Sequence, residues 1–529
     1  MAEPQTMILD RLHKNLKVAG ITVDEATIQG VIDKGFLAIP TQFEEMARGF
    51  PTDLVPDYLG SWGSSLTPTA SPERNVSEEE SSSAPPDSIV AIAKQIKQRD
   101  VSPVELTQRA LARIAERDSE LNAFQLVLTE RALAAAQQAE AEIKQGHYRG
   151  PLHGVPVAIK DLRDLDGTPT TAGSKILANQ IAEENATVVD RLEAAGAIIV
   201  GKTRMSEFAY APGSINAHYG PTRNPRNPAY DTGGSSSGSA AAVADGLVYT
   251  ALGTDTGCSI RQPAAFCGLV GLKPTFGRVS LAGGVTLSWS LDHCGPLARN
   301  VADAALLLAV LAGPDPRDIR TRTGSEFSFA QFTQAPTAIR GLRIGVLGND
   351  GTNNPLATPE VLTAWRSGLA RLEKQGATLV EIDLPDMNMM RMVGGAMIAN
   401  EARAYHQPNL QTRFQDYGEF LQQRLLAAFA YDATAFIRAQ QMRTVLRQRA
   451  NQIFEQIDLL STPSIPTVAP TLGTIGSTAL LLPFNLLGWP AITVPVGQTE
   501  VGLPMGLQLV GKPWDELTVL RGARALEVG

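Results

Sequence analysis

Three segments of this 529-residue chain are dense in side chains that carry out nucleophilic chemistry. In the first, Val155-Pro-Val-Ala-Ile-Lys160-Asp161, a lysine ends an apolar run. Burial there disfavours the ammonium and frees an amine to act as a base. The competing reading is a lysine that reaches solvent or pairs with Asp161 or Asp164. The second segment, Gly233-Gly-Ser-Ser-Ser-Gly-Ser239, runs straight into Ala-Ala-Ala-Val-Ala. Its glycines admit backbone that other residues cannot adopt, and the small-residue helix after it collects unsatisfied N–H groups at its start. The third, Gly253-Thr-Asp-Thr-Gly-Cys-Ser259-Ile-Arg261, is polar at first and turns apolar towards Gly268. Successive N–H groups over 256–259 would form an oxyanion hole beside a serine hydroxyl. The alternative is a turn capped by Ser259.

Other patterns do not survive inspection. Gly196-Ala-Ile-Ile-Val-Gly201-Lys202-Thr203 matches a phosphate-loop expression. Its four central residues favour a buried strand, which cannot also curl around phosphate. Gly234-Ser-Ser-Ser-Gly238 matches a nucleophile elbow, but the Pro- and Asn-broken stretch before it is no strand. An elbow also needs a later histidine, and only His293 and His406 follow. There is no HExxH, CxxC or S-x-x-K, so zinc hydrolysis and serine–lysine pairing of the β-lactamase kind lack support.

The elements that must hold the three segments are short apolar runs at 155–159, 197–200, 248–253, 342–347, 378–382, 458–462 and 491–496. Helical stretches alternate with them, at about 89–98, 103–117, 130–145 and through most of 358–457. This alternation predicts an α/β fold with a large, partly parallel sheet. Residues 1–62 read as a small helical unit, and 63–87 as a Ser/Pro/Glu-rich linker without the apolar residues to fold alone. Residues 88–529 form the main domain. The formal charge of −8 argues against a broad nucleic-acid-binding face. Three cysteines are too few for a disulfide framework. No apolar leader opens the chain, and no apolar stretch approaches the roughly 18 residues of a membrane span. The expectation is a cytoplasmic protein with no membrane partner.

Across most of 88–529 the chain resembles the amidase signature family of serine hydrolases. The resemblance rests on VPVAIKD, GKT-x-M-x-EFA (201–209), YGPTRNP (219–225), GGSSSGSAAAV, GTDTG-x-SIRQPAAFCGLVGLKPTFGRVS (253–280), SLDHCGPLARNVADAALLL (290–308), PSIPTVAP (463–470) and GLPMGLQLVG (502–511), all in the family's order. It implies a large mixed β-sheet core flanked by α-helices, with the N-terminal helical unit as an addition. It also implies a Ser-Ser-Lys triad: Ser259 as nucleophile, Lys160 as base, and Ser235, after a cis peptide bond, as the bridge between them. The N–H groups of Thr256, Gly257, Cys258 and Ser259 would take the oxyanion, with Ser236, Arg261 and Asp255 in support. The implied reaction cleaves the C–N bond of a small carboxamide through an acyl-enzyme, with no metal and no cofactor.

This sequence departs from the family's pattern at Cys258 and Ser237, where glycine is frequent, and at Arg204, where asparagine is more common. Three alternatives stay open: the glutaminase component of a tRNA-dependent amidotransferase, a carbamate or urea-derivative hydrolase, and an inactive binding protein on the same fold. The extra N-terminal unit favours a free-standing amidase, in which it can help form a homodimer. No direct nucleic-acid contact is expected.

Overall fold

A computed structural model describes residues 3–48, 50, 88–321, 326–352 and 354–528. The expected linker at 63–87 and the end of the N-terminal unit lie outside the described residues. Among those described, eleven strands form one sheet. In chain order they are β1 (Phe124–Val127), β2 (Pro156–Lys160), β3 (Ile198–Thr203), β4 (Thr250–Asp255), β5 (Val270–Lys273), β6 (His293–Ala298), β7 (Arg343–Asn349), β8 (Thr378–Asp383), β9 (Leu459–Pro463), β10 (Ala491–Gln498) and β11 (Pro504–Gly511). Their spatial order is β1-β3-β2-β4-β6-β5-β10-β11-β9-β7-β8.

The sheet is mixed in a simple way. β3, β2 and β4 are mutually parallel, as are β8, β7 and β9, while the strands between these blocks pair antiparallel. Helical crossovers make the parallel blocks and cover both faces, so β2, β3 and β4 are buried at every residue. That explains why these strands read as unbroken apolar runs rather than alternating ones.

One core, built around Val157, Leu252, Leu272 and Leu307, fills one region against the sheet. Another joins the helices Met387–Thr412, Glu419–Ala427 and Ala433–Asn451 to the N-terminal residues. The three N-terminal helices, Glu3–Val18, Glu25–Asp33 and Ala38–Ala47, therefore have no separate core. Phe43 meets Tyr431 edge-on at 5.9 Å, Phe36 meets Phe420 at 5.6 Å, and Asn15 donates to the Phe429 carbonyl at 2.7 Å. No helix among the described residues is long and apolar enough to cross a membrane.

Candidate active site

β2 and β4 are neighbours and parallel, so their carboxyl ends meet at one edge of the sheet. In parallel sheets this is the edge where crevices open for ligands. β2 ends on Lys160, and β4 ends on Thr254 and Asp255. The serines arrive from two loops: Ser235 and Ser236 precede the helix Ser237–Ala244, and Ser259 follows β4.

The second loop can be made only of small residues. A Cβ on Gly234 would sit 2.1 Å from the Gly213 carbonyl oxygen, and one on Gly238 would sit 2.2 Å from that of Ala123. Both contacts are with backbone, which cannot yield. The Gly234–Ser235 peptide bond is cis.

Lys160 is fully buried, and its Nζ reaches three hydroxyls: Ser235 Oγ at 2.7 Å, Thr254 Oγ1 at 2.9 Å and Ser236 Oγ at 3.0 Å. No carboxylate bonds to it among the described residues. Burial, with the nearby Arg163 charge in support, lowers its pKa to about 7. The neutral amine is thus available near pH 7, which an ordinary lysine does not offer. Ser236 is locked from two sides, donating to the Thr254 carbonyl and accepting from the Thr254 N–H, each at 3.2 Å.

Ser259 lies almost wholly buried, its carbonyl accepting from the Ser236 N–H at 3.3 Å. Its hydroxyl has the Cys258 thiol as neighbour at 3.9 Å, and no hydrogen bond joins it to Ser235 among the described residues. Such links commonly tighten only with substrate in place. Among the described residues, the N–H groups of Thr256, Gly257, Cys258 and Ser259 donate to nothing in the chain. Four unspent donors in succession form a loop of the kind that can take up negative charge.

This loop is tied down at its far end. The Asp255 carboxylate accepts from the Ile260 and Arg261 N–H groups, from Arg261 Nε and Nη2 at 3.0 Å each, and from Asn485 Nδ2 at 2.9 Å. Burial works against this carboxylate, but the Arg261 charge and the hydrogen bonds override it and hold its pKa well below the usual range. Arg261 in turn donates to Gln508 at 2.8 Å and to Asn485 at 2.5 Å.

The structure therefore gathers Lys160, Ser235 and Ser236 into one cluster and places Asp255 and Arg261 beneath the loop that carries Ser259. The Cys258 thiol is pushed up to about 12 by burial and by the Asp255 charge, and it donates weakly to the Gly234 carbonyl at 3.5 Å. It is a packed side chain, not a thiolate. The phosphate-loop pattern is indeed a buried strand, β3.

Two functional candidates escaped the sequence. Thr254 lies inside the third segment, but nothing in its type marked it as a partner of Lys160. Arg424 lies on the helix Glu419–Ala427, in a stretch without a motif. Its guanidinium stacks 4.0 Å over the Tyr210 ring and donates to the Tyr210 carbonyl. No carboxylate pairs with it among the described residues.

Comparison with known proteins shows the family of the chain. The family model described as Amidase matches residues 105–520. The chain is 43% identical over 455 residues to the A subunit of glutamyl-tRNA(Gln) amidotransferase from Chloroflexus aurantiacus, covering 80% of this chain and 92% of the relative. Among solved structures, one reported in work on a vestigial protein complex and the origins of an s-triazine catabolic enzyme superimposes with a TM-score of 0.79. That match is at 36% identity and covers 83% of this chain and 98% of the other. The native peptide amidase of Stenotrophomonas maltophilia gives 0.74 at 32% identity, over 83% and 96%. The chain belongs to the amidase family, and it is an amidohydrolase on the amidase signature fold.

Proposed function

We propose that the chain hydrolyses a small carboxamide bearing a carboxylate, releases ammonia, and does so as one component of an amidotransferase-type assembly. Ser259 is the nucleophile. Its proton passes to Ser235, and Ser235's own proton passes to the neutral Lys160 amine. Ser259 Oγ bonds to the amide carbon while the oxygen takes up charge within the 256–259 cradle. The C–N bond then breaks as Lys160 returns its proton, through Ser235, to the departing nitrogen; an unprotonated amide nitrogen leaves poorly. Water attacks the acyl ester, and the acid departs. The observation that carries this reading is the fully buried lysine held by three hydroxyls and, among the described residues, no carboxylate.

Two observations narrow the substrate and setting. Arg424, held against Tyr210, offers a cation with no carboxylate partner among the described residues, and we assign it to a substrate carboxylate. Relatives at about 40% identity bear the name of an amidotransferase component, which favours that role over the free-standing amidase expected from the sequence. One observation keeps the free-standing reading in play: the chain's own N-terminal helices already cover the 387–431 region. The cytoplasmic setting belongs to both readings. Affinity purification of the full-length chain from its native host, with ammonia release from glutamine as the assay, separates them. Co-purifying partner proteins and glutamine turnover are expected. A homodimer that turns over other amides and ignores glutamine would overturn the assembly reading.

A further inference from the structure

The N-terminal end of the 256–259 loop has a second anchor, separate from the Asp255–Arg261 pair. Thr256 Oγ1 donates to Asp292 at 2.6 Å. The same buried carboxylate accepts from Thr286 Oγ1 at 2.8 Å, the Leu287 N–H at 2.9 Å and the Ser288 N–H at 3.1 Å. It thus folds the 286–288 loop around itself with Thr256 held in the fold. That loop is gripped again from the helix Met387–Thr412. There Glu401, also buried, accepts from Ser288 Oγ at 2.6 Å, the Ser290 N–H at 3.1 Å and Ser290 Oγ at 2.5 Å. Arg443, from a third helix, donates to the Ser290 carbonyl at 3.2 Å. Among the described residues, seven donors converge on these two buried carboxylates, and the Thr256 hydroxyl is the one that ties them to the site. A carboxylate with this many good acceptor bonds is rigid.

We propose that Asp292 is a positioning residue for amide hydrolysis. It aims the Thr256 end of the oxyanion cradle, and Glu401 holds it in place through Ser288. The inference rests on the site reading above. Asp255 fixes one end of the cradle and Asp292 the other, so the N–H groups between them cannot swing away as charge develops. Preorganised donors lose no reorganisation free energy at that moment, and their effect falls in the rate of bond formation rather than in ground-state binding.

The test is the inactivation of the full-length chain by a fluorophosphonate probe, with kinact and KI measured for the adduct on Ser259. Asp292→Asn is expected to cut kinact about tenfold to thirtyfold and to leave KI within about threefold. Thr256→Val does the same and Thr256→Ser recovers to within about twofold, with the pH midpoint of labelling in place in both; in Asp292→Asn the midpoint moves down, because the Asp292 charge supports the Lys160 ammonium. The Thr256→Val/Asp292→Asn double variant falls no further than Asp292→Asn, because both remove one link. Glu401→Gln costs about threefold to fivefold. An unchanged kinact in Asp292→Asn would overturn the proposal, as would additive losses in the double variant. If Asp292→Asn fails to fold, the Thr256 pair decides alone: equal rates in Thr256→Val and Thr256→Ser would overturn it. A wild-type chain that takes no adduct on Ser259 would instead bring down the site reading, and this inference with it.

Discussion

Two buried lysines stand on adjacent strands, and only one has the surroundings of a base. Lys160 ends β2; Lys202 lies on β3, in register with Ile159, one residue away. Neither has exposed surface. Lys202 Nζ meets the Asp161 carboxylate at 3.1 Å, the Pro169 carbonyl at 2.6 Å and Thr170 Oγ1 at 2.8 Å. Lys160 Nζ meets three hydroxyls. Burial lowers both pKa values; for Lys202 the Asp161 charge works against it, and for Lys160 the Arg163 charge adds to it while the Asp255 and Asp292 charges oppose it without bonding to the amine. Burial is therefore not enough to make a base. Hydroxyl partners can hand a proton in either direction, whereas a carboxylate partner fixes the ammonium.

The largest break in this comparison is Lys160→Ala. It removes the proposed base and should lower amide turnover at least about a thousandfold with little change in substrate binding, read as kcat against KM. The corresponding change on the neighbouring strand should hit stability rather than rate. Asp161→Asn leaves Lys202 without its charge partner and should cost about 3 kcal/mol in a denaturant titration. The folded fraction should label at Ser259 within about threefold of wild type, and Asp161→Leu with Lys202→Met should recover part of the lost stability. A smaller change sharpens the contrast from the other side. Thr254→Val takes one hydroxyl from Lys160 and should slow turnover about tenfold; Thr254→Ser should restore it.

The comparison also shows what the sequence could and could not reveal. Seven apolar runs became strands; β2, β3, β4 and β9 are buried on both faces and leave a continuous apolar signature, whereas the edge strand β8 is largely exposed. β6, His293–Ala298, did not stand out, since its Gly295 and Pro296 read as breakers. Pro296 pairs in register with Leu252 of β4, while β5 pairs with β6 only at Leu297 and Ala298. β1 and β5 are four residues each, too short for a pattern to rise above chance, and β11 is broken by Gly506. Lys160 was legible from its place at the end of an apolar run, whereas Ser235, Ser236, Asp255 and Arg261 were singled out by the family resemblance alone. Asp292 lies inside the quoted SLDHCG run, yet its role depends on Thr256 and Ser288 folding around it. Arg424 meets Tyr210 only through tertiary packing. The sequence could offer the competing reading that Lys160 pairs with Asp161; the structure gives that carboxylate to Lys202 instead.

The most direct test of the central claim, that a neutral Lys160 drives Ser259, is the pH dependence of fluorophosphonate labelling followed by peptide mapping. The base must be deprotonated, so the rate rises with pH. Near pH 6, one unit below a pKa of about 7, roughly a tenth of the amine is free. The account predicts an adduct on Ser259 whose rate climbs about tenfold per pH unit below pH 6, levels off above about pH 8, and loses this dependence together with most of its magnitude in Lys160→Ala. An adduct on Ser236, or a Ser259 adduct that forms at the same rate in Lys160→Ala, would contradict it.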